Sequence, residues 1–179
     1  MSADASTRSV DDGSIVRRPR AVDTVLYGGL VVGVLDGLFA LIFYGLILGV
    51  QPMRVFQSVA AGLLGRASYE GGTQTFLLGI ILHFVVASCI AAVYYVASLN
   101  FRILIHHAIA CGLLYGLIAY LGMNYIVIPL SAIGSRPSPP LRVFLPAFIA
   151  HALLVGLPIA LIARRSAKAH QRDYGNSVS

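Results

Sequence analysis

Apolar residues run almost unbroken through roughly residues 25–50, 75–99, 103–130 and 143–163, and polar residues collect before, between and after these stretches. A helix of about 20 mostly apolar residues crosses the ~30 Å hydrocarbon core of a bilayer, and each run is long enough. The pattern predicts an all-α integral membrane protein with a bundle of four transmembrane helices. Asp23-Thr24 offers a helix cap before the first run, and Gln51-Pro52 ends it, because proline cannot continue a helix past its first turn. Residues 53–66 (MRVFQSVAAGLLGR) are too few to span and are amphipathic. Phe56, Val59, Ala60, Leu63 and Leu64 share one face, with Arg54, Gln57, Ser58 and Ala61 on the other, which predicts an interfacial or re-entrant segment between the first two spans. A turn at Asn100-Phe101-Arg102 makes the second and third spans an antiparallel hairpin, and the third ends at Pro129. Residues 131–142 (SAIGSRPSPPLR) read as a loop. Pro146 suits the first turn of the fourth span, and Pro158, in its interior, predicts a kink near Leu154.

Composition agrees with this reading: 58% of residues are hydrophobic, 11% are charged and mean hydropathy is +0.82. Soluble domains carry about 25% charged residues. The net charge of +6 does not signal nucleic-acid binding, because the basic residues sit where a membrane topology wants them. With four spans, both tails and the 100–102 turn share one side and hold nine Lys and Arg, whereas the 51–74 and 131–142 loops hold four. That asymmetry places both termini in the cytoplasm. Residues 1–24 are polar, lack the apolar region of a cleavable signal and read as a disordered cytoplasmic tail; 25–165 form the membrane domain, and 166–179 a second cytoplasmic tail. Cys89 and Cys111 lie inside apolar runs as small hydrophobes, with no CxxC spacing.

Small residues recur every fourth position. Gly29, Gly33 and Gly37 mark a ridge on the first span, and Gly112 and Gly116 one on the third, a glycine-zipper pattern that lets backbones approach closely where lipid gives helices no hydrophobic drive to associate. The same Phe-to-His spacing in Phe76–His83 and Phe144–His151 hints at two hairpins in parallel repeat.

Asp36 is the one acid inside any span, about 16 Å deep at ~1.5 Å per residue, on the glycine ridge itself. A charged Asp there costs about 2.5–3.5 kcal/mol on insertion scales, so it faces the bundle interior and takes a partner. Protonation, pairing with a histidine and binding of an ion all remain open. His83 and His151 lie about 12 Å below the opposite surface, near the level of Asp36, and both point inward. The three residues form an intramembrane polar layer that serves as helix–helix hydrogen bonding, as a proton relay, or, with the two histidines as axial ligands, as a haem b site. His106 and His107 fall at the interface, and the tyrosines fall mostly toward helix ends as an aromatic belt. There is no GxSxG, P-loop or Ser-His-Asp arrangement, and one intramembrane Asp does not make an aspartyl protease.

Gly33-Val-Leu-Asp36-Gly37, Ala61-Gly62-Leu-Leu-Gly65, Leu82-His83-Phe84 and Gly112-Leu-Leu-Tyr115-Gly116 resemble small bacterial inner-membrane proteins of the YagU-like kind. The resemblance covers roughly residues 25–163 and implies a bacterial inner-membrane protein without an assigned reaction. The expectation is a non-enzymatic accessory or stress-related component, or a small conduit. It needs no cofactor, its partner is the lipid bilayer, and surplus glycine surface is available for a homo-oligomer or a larger membrane complex. The alternative is a haem b redox protein using His83 and His151.

Overall fold

The computed structural model describes residues 19–178, with side chains through Ala169. Residues 1–18 of the expected 1–24 tail and the side chains of 170–179 lie outside the described residues, and the first long helix begins within that tail at Val22. Among the described residues four helices are long and apolar enough to cross a membrane: α1 (Val22–Ile47), α3 (Gly72–Asn100), α4 (Ala108–Leu130) and α5 (Leu141–Ala169). A shorter helix, α2 (Pro52–Leu64), and a 3-10 turn at Gly65–Tyr69 fill the connection between α1 and α3. No strand occurs among the described residues.

α1 runs antiparallel to α3, with Gly29 against Ser88, Gly33 against Phe84 and Gly37 against His83. α4 runs antiparallel to α5 along a tighter seam. A Cβ on Gly116 would strike the His151 carbonyl, and one on Gly156 would strike the Gly112 carbonyl. α1 also packs along α5, and side-chain contacts of Tyr115 with Tyr94 and Ile90 join α4 to α3, so the four helices follow the order α1, α3, α4, α5 around the square. Tyr115 Oη donates to the Ile90 carbonyl at 2.6 Å across the α3–α4 face.

The core lies at one end of this square and is built from small residues. Val32, Ala91, Tyr94, Ala108, Ile159, Ala160 and Ala163 are all at most 1% exposed. The outward faces carry the opposite pattern. Leu26, Leu30, Val34, Leu38 and Ile42 descend α1 at every fourth position, each at least 44% exposed, and Leu77, Ile81 and Val85 do the same on α3. A continuous exposed apolar surface of this kind marks contact with lipid or protein.

Local geometry departs from the apolar pattern at several ends. α1 stops at Ile47, short of Gln51-Pro52, because Gly49 turns the chain at φ +69° and its N–H and that of Val50 reach back to the carbonyls of Gly45 and Tyr44. The chain after α3 makes one helical turn, Ile103–His106, and breaks at His107 before α4 begins. Buried Tyr94 donates its hydroxyl to the Leu104 carbonyl at 2.8 Å, occupying an acceptor that a continuous helix would use. Pro146 sits in the interior of α5, as its sixth residue, and not in the first turn. Ahead of Pro158 the helix widens into a π-type turn over His151–Gly156, which accommodates the missing N–H at the place where a kink was expected. The helix runs on past residue 165. Ser166 is buried there, donates to Asp23 Oδ2 at 2.7 Å and accepts from the Arg20 N–H at 2.8 Å.

α2 docks differently from its amphipathic pattern. Val55, Gln57, Ala60 and Ala61 are buried, whereas Leu63 and Leu64 are 62% and 42% exposed. Gln57 faces inward, where its amide donates to the Gly72 carbonyl at 3.1 Å and to Thr75 Oγ1 at 3.2 Å and ties α2 to the first turn of α3. Close approach at Gly79, where a Cβ would strike the Phe56 carbonyl, completes the dock. Gln57→Leu should therefore destabilise the protein by about 0.5–1.5 kcal/mol for each of the two hydrogen bonds lost. Thermal unfolding in detergent measures this, and a wild-type midpoint would refute the role given to Gln57.

Candidate functional site

Toward the end of the square away from the small-residue core, the helices part around a cavity of about 450 Å³. Each long helix sends polar side chains to it: Asp36 and Tyr44 from α1, His83 from α3, Tyr120 and Asn124 from α4, and His151 from α5. Apolar side chains, among them Val32, Phe39, Val86, Ile90 and Val155, supply most of the wall. Arg136, Pro137 and Pro139 of the loop between α4 and α5 enter it at one end. A neighbouring cavity of about 830 Å³ shares Asp36, Ala40, Tyr44, Val59, His83 and Arg136 with the first, and extends past Gly49, Gln51, Arg54 and Tyr69. The two form a chamber with a vestibule, entered between the loop and α2.

Widened helical turns recur along this wall. Tyr44 lies in the turn Leu41–Ile47, Asn124 in Met123–Val127 and His151 in His151–Gly156. Such turns break the register of a helix and are frequent at functional sites. Here each contributes a chamber residue.

The histidines are held by backbone carbonyls. His83 Nε2 lies 2.9 Å from the Gly33 oxygen, and His151 Nδ1 lies 2.9 Å from the Ala147 oxygen. A carbonyl only accepts, so each of these ring nitrogens carries the proton and donates. In the neutral rings the remaining nitrogens, Nδ1 of His83 and Nε2 of His151, are therefore acceptors. Edge-on aromatic contacts fix the ring planes: Phe56 and Phe84 against His83, and Tyr120 against His151 with centroids 5.0 Å apart.

Asp36 is 20% exposed and pairs with His151, whose Nδ1 is 3.9 Å from Oδ1. That distance is too long for a hydrogen bond. Among the described residues no group donates a hydrogen bond to the Asp36 carboxyl, so its oxygens are offered to the cavity. His83 is tied to Gly33 and not to Asp36. A haem iron bound through His83 Nε2 would have to displace that hydrogen bond. No group of three or more His, Cys, Asp or Glu side chains capable of holding a metal ion occurs among the described residues.

The glycines singled out for packing lie on two different seams. Gly29, Gly33 and Gly37 face Ser88, Phe84 and His83 of α3, whereas Gly112 and Gly116 face Gly156, Ala160, His151 and Ala152 of α5. His106 and His107 are exposed, away from the chamber. Tyr44, Tyr120 and Arg136 join the site unannounced by any motif. For Tyr120 the signal was its depth in the span, which requires a polar or aromatic neighbour. Arg136 sits in a Pro/Ser-rich loop whose path no residue pattern reveals. Neither protein-family models, nor curated proteins, nor solved structures give a match to this chain.

Proposed function

We propose that this protein is a multi-pass protein of the bacterial inner membrane, non-enzymatic, whose bundle holds a small molecule in a chamber entered from the periplasmic side. One observation carries the reading: a polar side chain from each of the four long helices reaches a single cavity that loop residues enter at one end. The small-residue core closes the other end, which favours a binding chamber over a through-going conduit. The volume and the mostly apolar wall with a few convergent polar groups suit a small ligand. Both termini lie in the cytoplasm on the strength of the nine-to-four basic asymmetry, and the YagU-like resemblance fits the same membrane.

Two measurements test this. Reporter fusions after residue 24, at 101 and after 165 should read cytoplasmic, and those near 70 and 137 periplasmic; matching signals from 70 and 101 would overturn the topology. In a background with Cys89 and Cys111 replaced by Ser, the chamber variant Val143→Cys should react with a membrane-impermeant thiol reagent added outside spheroplasts. Absence of reaction from that side would overturn the chamber. A Soret band in the purified protein would instead favour haem b on His83 and His151.

A further inference from the structure

Around Asp36 the chamber wall offers acceptors, whereas the donors on the same wall are the hydroxyls of Tyr44 and Tyr120, the Asn124 amide and the Arg136 guanidinium. Asp36 offers carboxylate oxygens with no donor on them, and the two histidines have committed their N–H groups to Gly33 and Ala147, which leaves acceptors. Three neighbouring groups that only accept, beside the rings of Phe39, Tyr44 and Tyr120, are complementary to a donor that carries positive charge. No third ligand completes a metal site among the described residues.

We infer that the chamber takes an organic ammonium on an apolar body, its N–H groups on Asp36 and its body against the aromatic and aliphatic wall. The inference rests on the chamber reading above and adds the ligand class. Arg136, which is exposed and lines the same cavity, is the competing cation. Its guanidinium lies on the same cavity as Asp36 and repels a bound ammonium. Removing Arg136 therefore tightens ammonium binding, whereas for an anionic or dipolar ligand it would weaken binding.

The test uses the full chain carrying Val143→Cys, free of its other thiols, in nanodiscs of neutral phosphatidylcholine. The probes are phenylbutylammonium and its uncharged and anionic counterparts, phenylbutanol and phenylbutyrate. The readout is protection of the thiol from an impermeant maleimide. The ammonium should protect at a concentration about tenfold lower than either counterpart, the scale of one charge-assisted hydrogen bond. Asp36→Asn should bring it to the level of the alcohol, and Arg136→Ala should lower the concentration it needs. Preference for the carboxylate, equal protection by all three probes, or weaker ammonium binding in Arg136→Ala would each overturn the assignment. The wild-type preference and the exposed Arg136 variant decide the matter even where Asp36→Asn does not fold. A thiol that never reacts would indict the chamber; one that reacts without charge preference would indict only the ligand class.

Discussion

Gly116→Ala should lower the thermal stability of the protein far more than Gly33→Ala, although both glycines belong to every-fourth ridges. A Cβ at 116 would land on the His151 carbonyl and 2.6 Å from the Ala152 Cα. Both are backbone atoms, so α4 and α5 would have to separate, and Tyr120 and His151 would lose their contact with them. A Cβ at 33 would meet the edge of the Phe84 ring, with Cδ1 at 2.5 Å. A ring can tilt and a helix backbone cannot. Overpacking costs about 1–3 kcal/mol, and Gly116→Ala belongs at the upper end. Gly122→Ala is the control, since nothing lies within 4 Å of its added methyl. It should be neutral or slightly stabilising, because Ala favours helix over Gly by about 1 kcal/mol. Unfolding midpoints in one detergent decide the comparison. Equal midpoints for Gly116→Ala and Gly122→Ala would remove the backbone seam from the account of stability.

A double-mutant cycle should couple Asp36 to His151 and leave Asp36 and His83 additive. The Asp36–His151 pair is separated by 3.9 Å, whereas the polar bond of His83 goes to the Gly33 carbonyl. Asp36→Asn preserves the shape of the side chain and removes its charge. His151→Ala should then cost less in the Asn background than in the wild type, with a coupling above about 0.5 kcal/mol, the scale for groups in contact. His83→Ala should cost the same in both backgrounds, about 0.5–1.5 kcal/mol for the lost hydrogen bond to Gly33 besides its ring contacts. Unfolding in mixed micelles at fixed pH supplies the four stabilities of each cycle. Coupling of Asp36 to His83 alone would mean that the ring of His83, and not that of His151, senses the carboxylate.

The four long helices were legible because length and apolar content suffice to find them; no finer pattern was needed. Counting ~1.5 Å per residue also put Asp36, His83 and His151 near one level, and they line one cavity. The faces were harder to read. On α2, Leu63 and Leu64 looked like the buried stripe, yet they point outward and Gln57 points in. Amphipathicity assumes water outside and apolar protein inside, and beside a lipid-facing bundle that assumption inverts. Buried Gln57 makes a tie to the first turn of α3 that no periodicity encodes. Tyr44 and Arg136 escaped for a related reason. A widened turn shifts which residues share a face, and a proline-rich loop sets its own course, so neither the cavity's rim nor its side wall could be drawn from a regular helix.

The placement of Asp36 on α1 bears on how the protein is made. Synthesis delivers α1 to the membrane before α3 and well before α5, so this carboxyl enters the hydrocarbon when neither His83 nor His151 has left the ribosome. Its insertion cost of about 2.5–3.5 kcal/mol must then be met by α1 alone. The span's mean hydropathy of 2.3 supplies what is needed, through the Leu, Ile and Val residues that later form its outer face. Those residues thus act first as the passport of a polar passenger and only afterwards as the contact surface of a finished bundle. A chain truncated after α3 should leave Asp36 waiting beside one histidine, a nascent state for membrane chaperones and proteases to find.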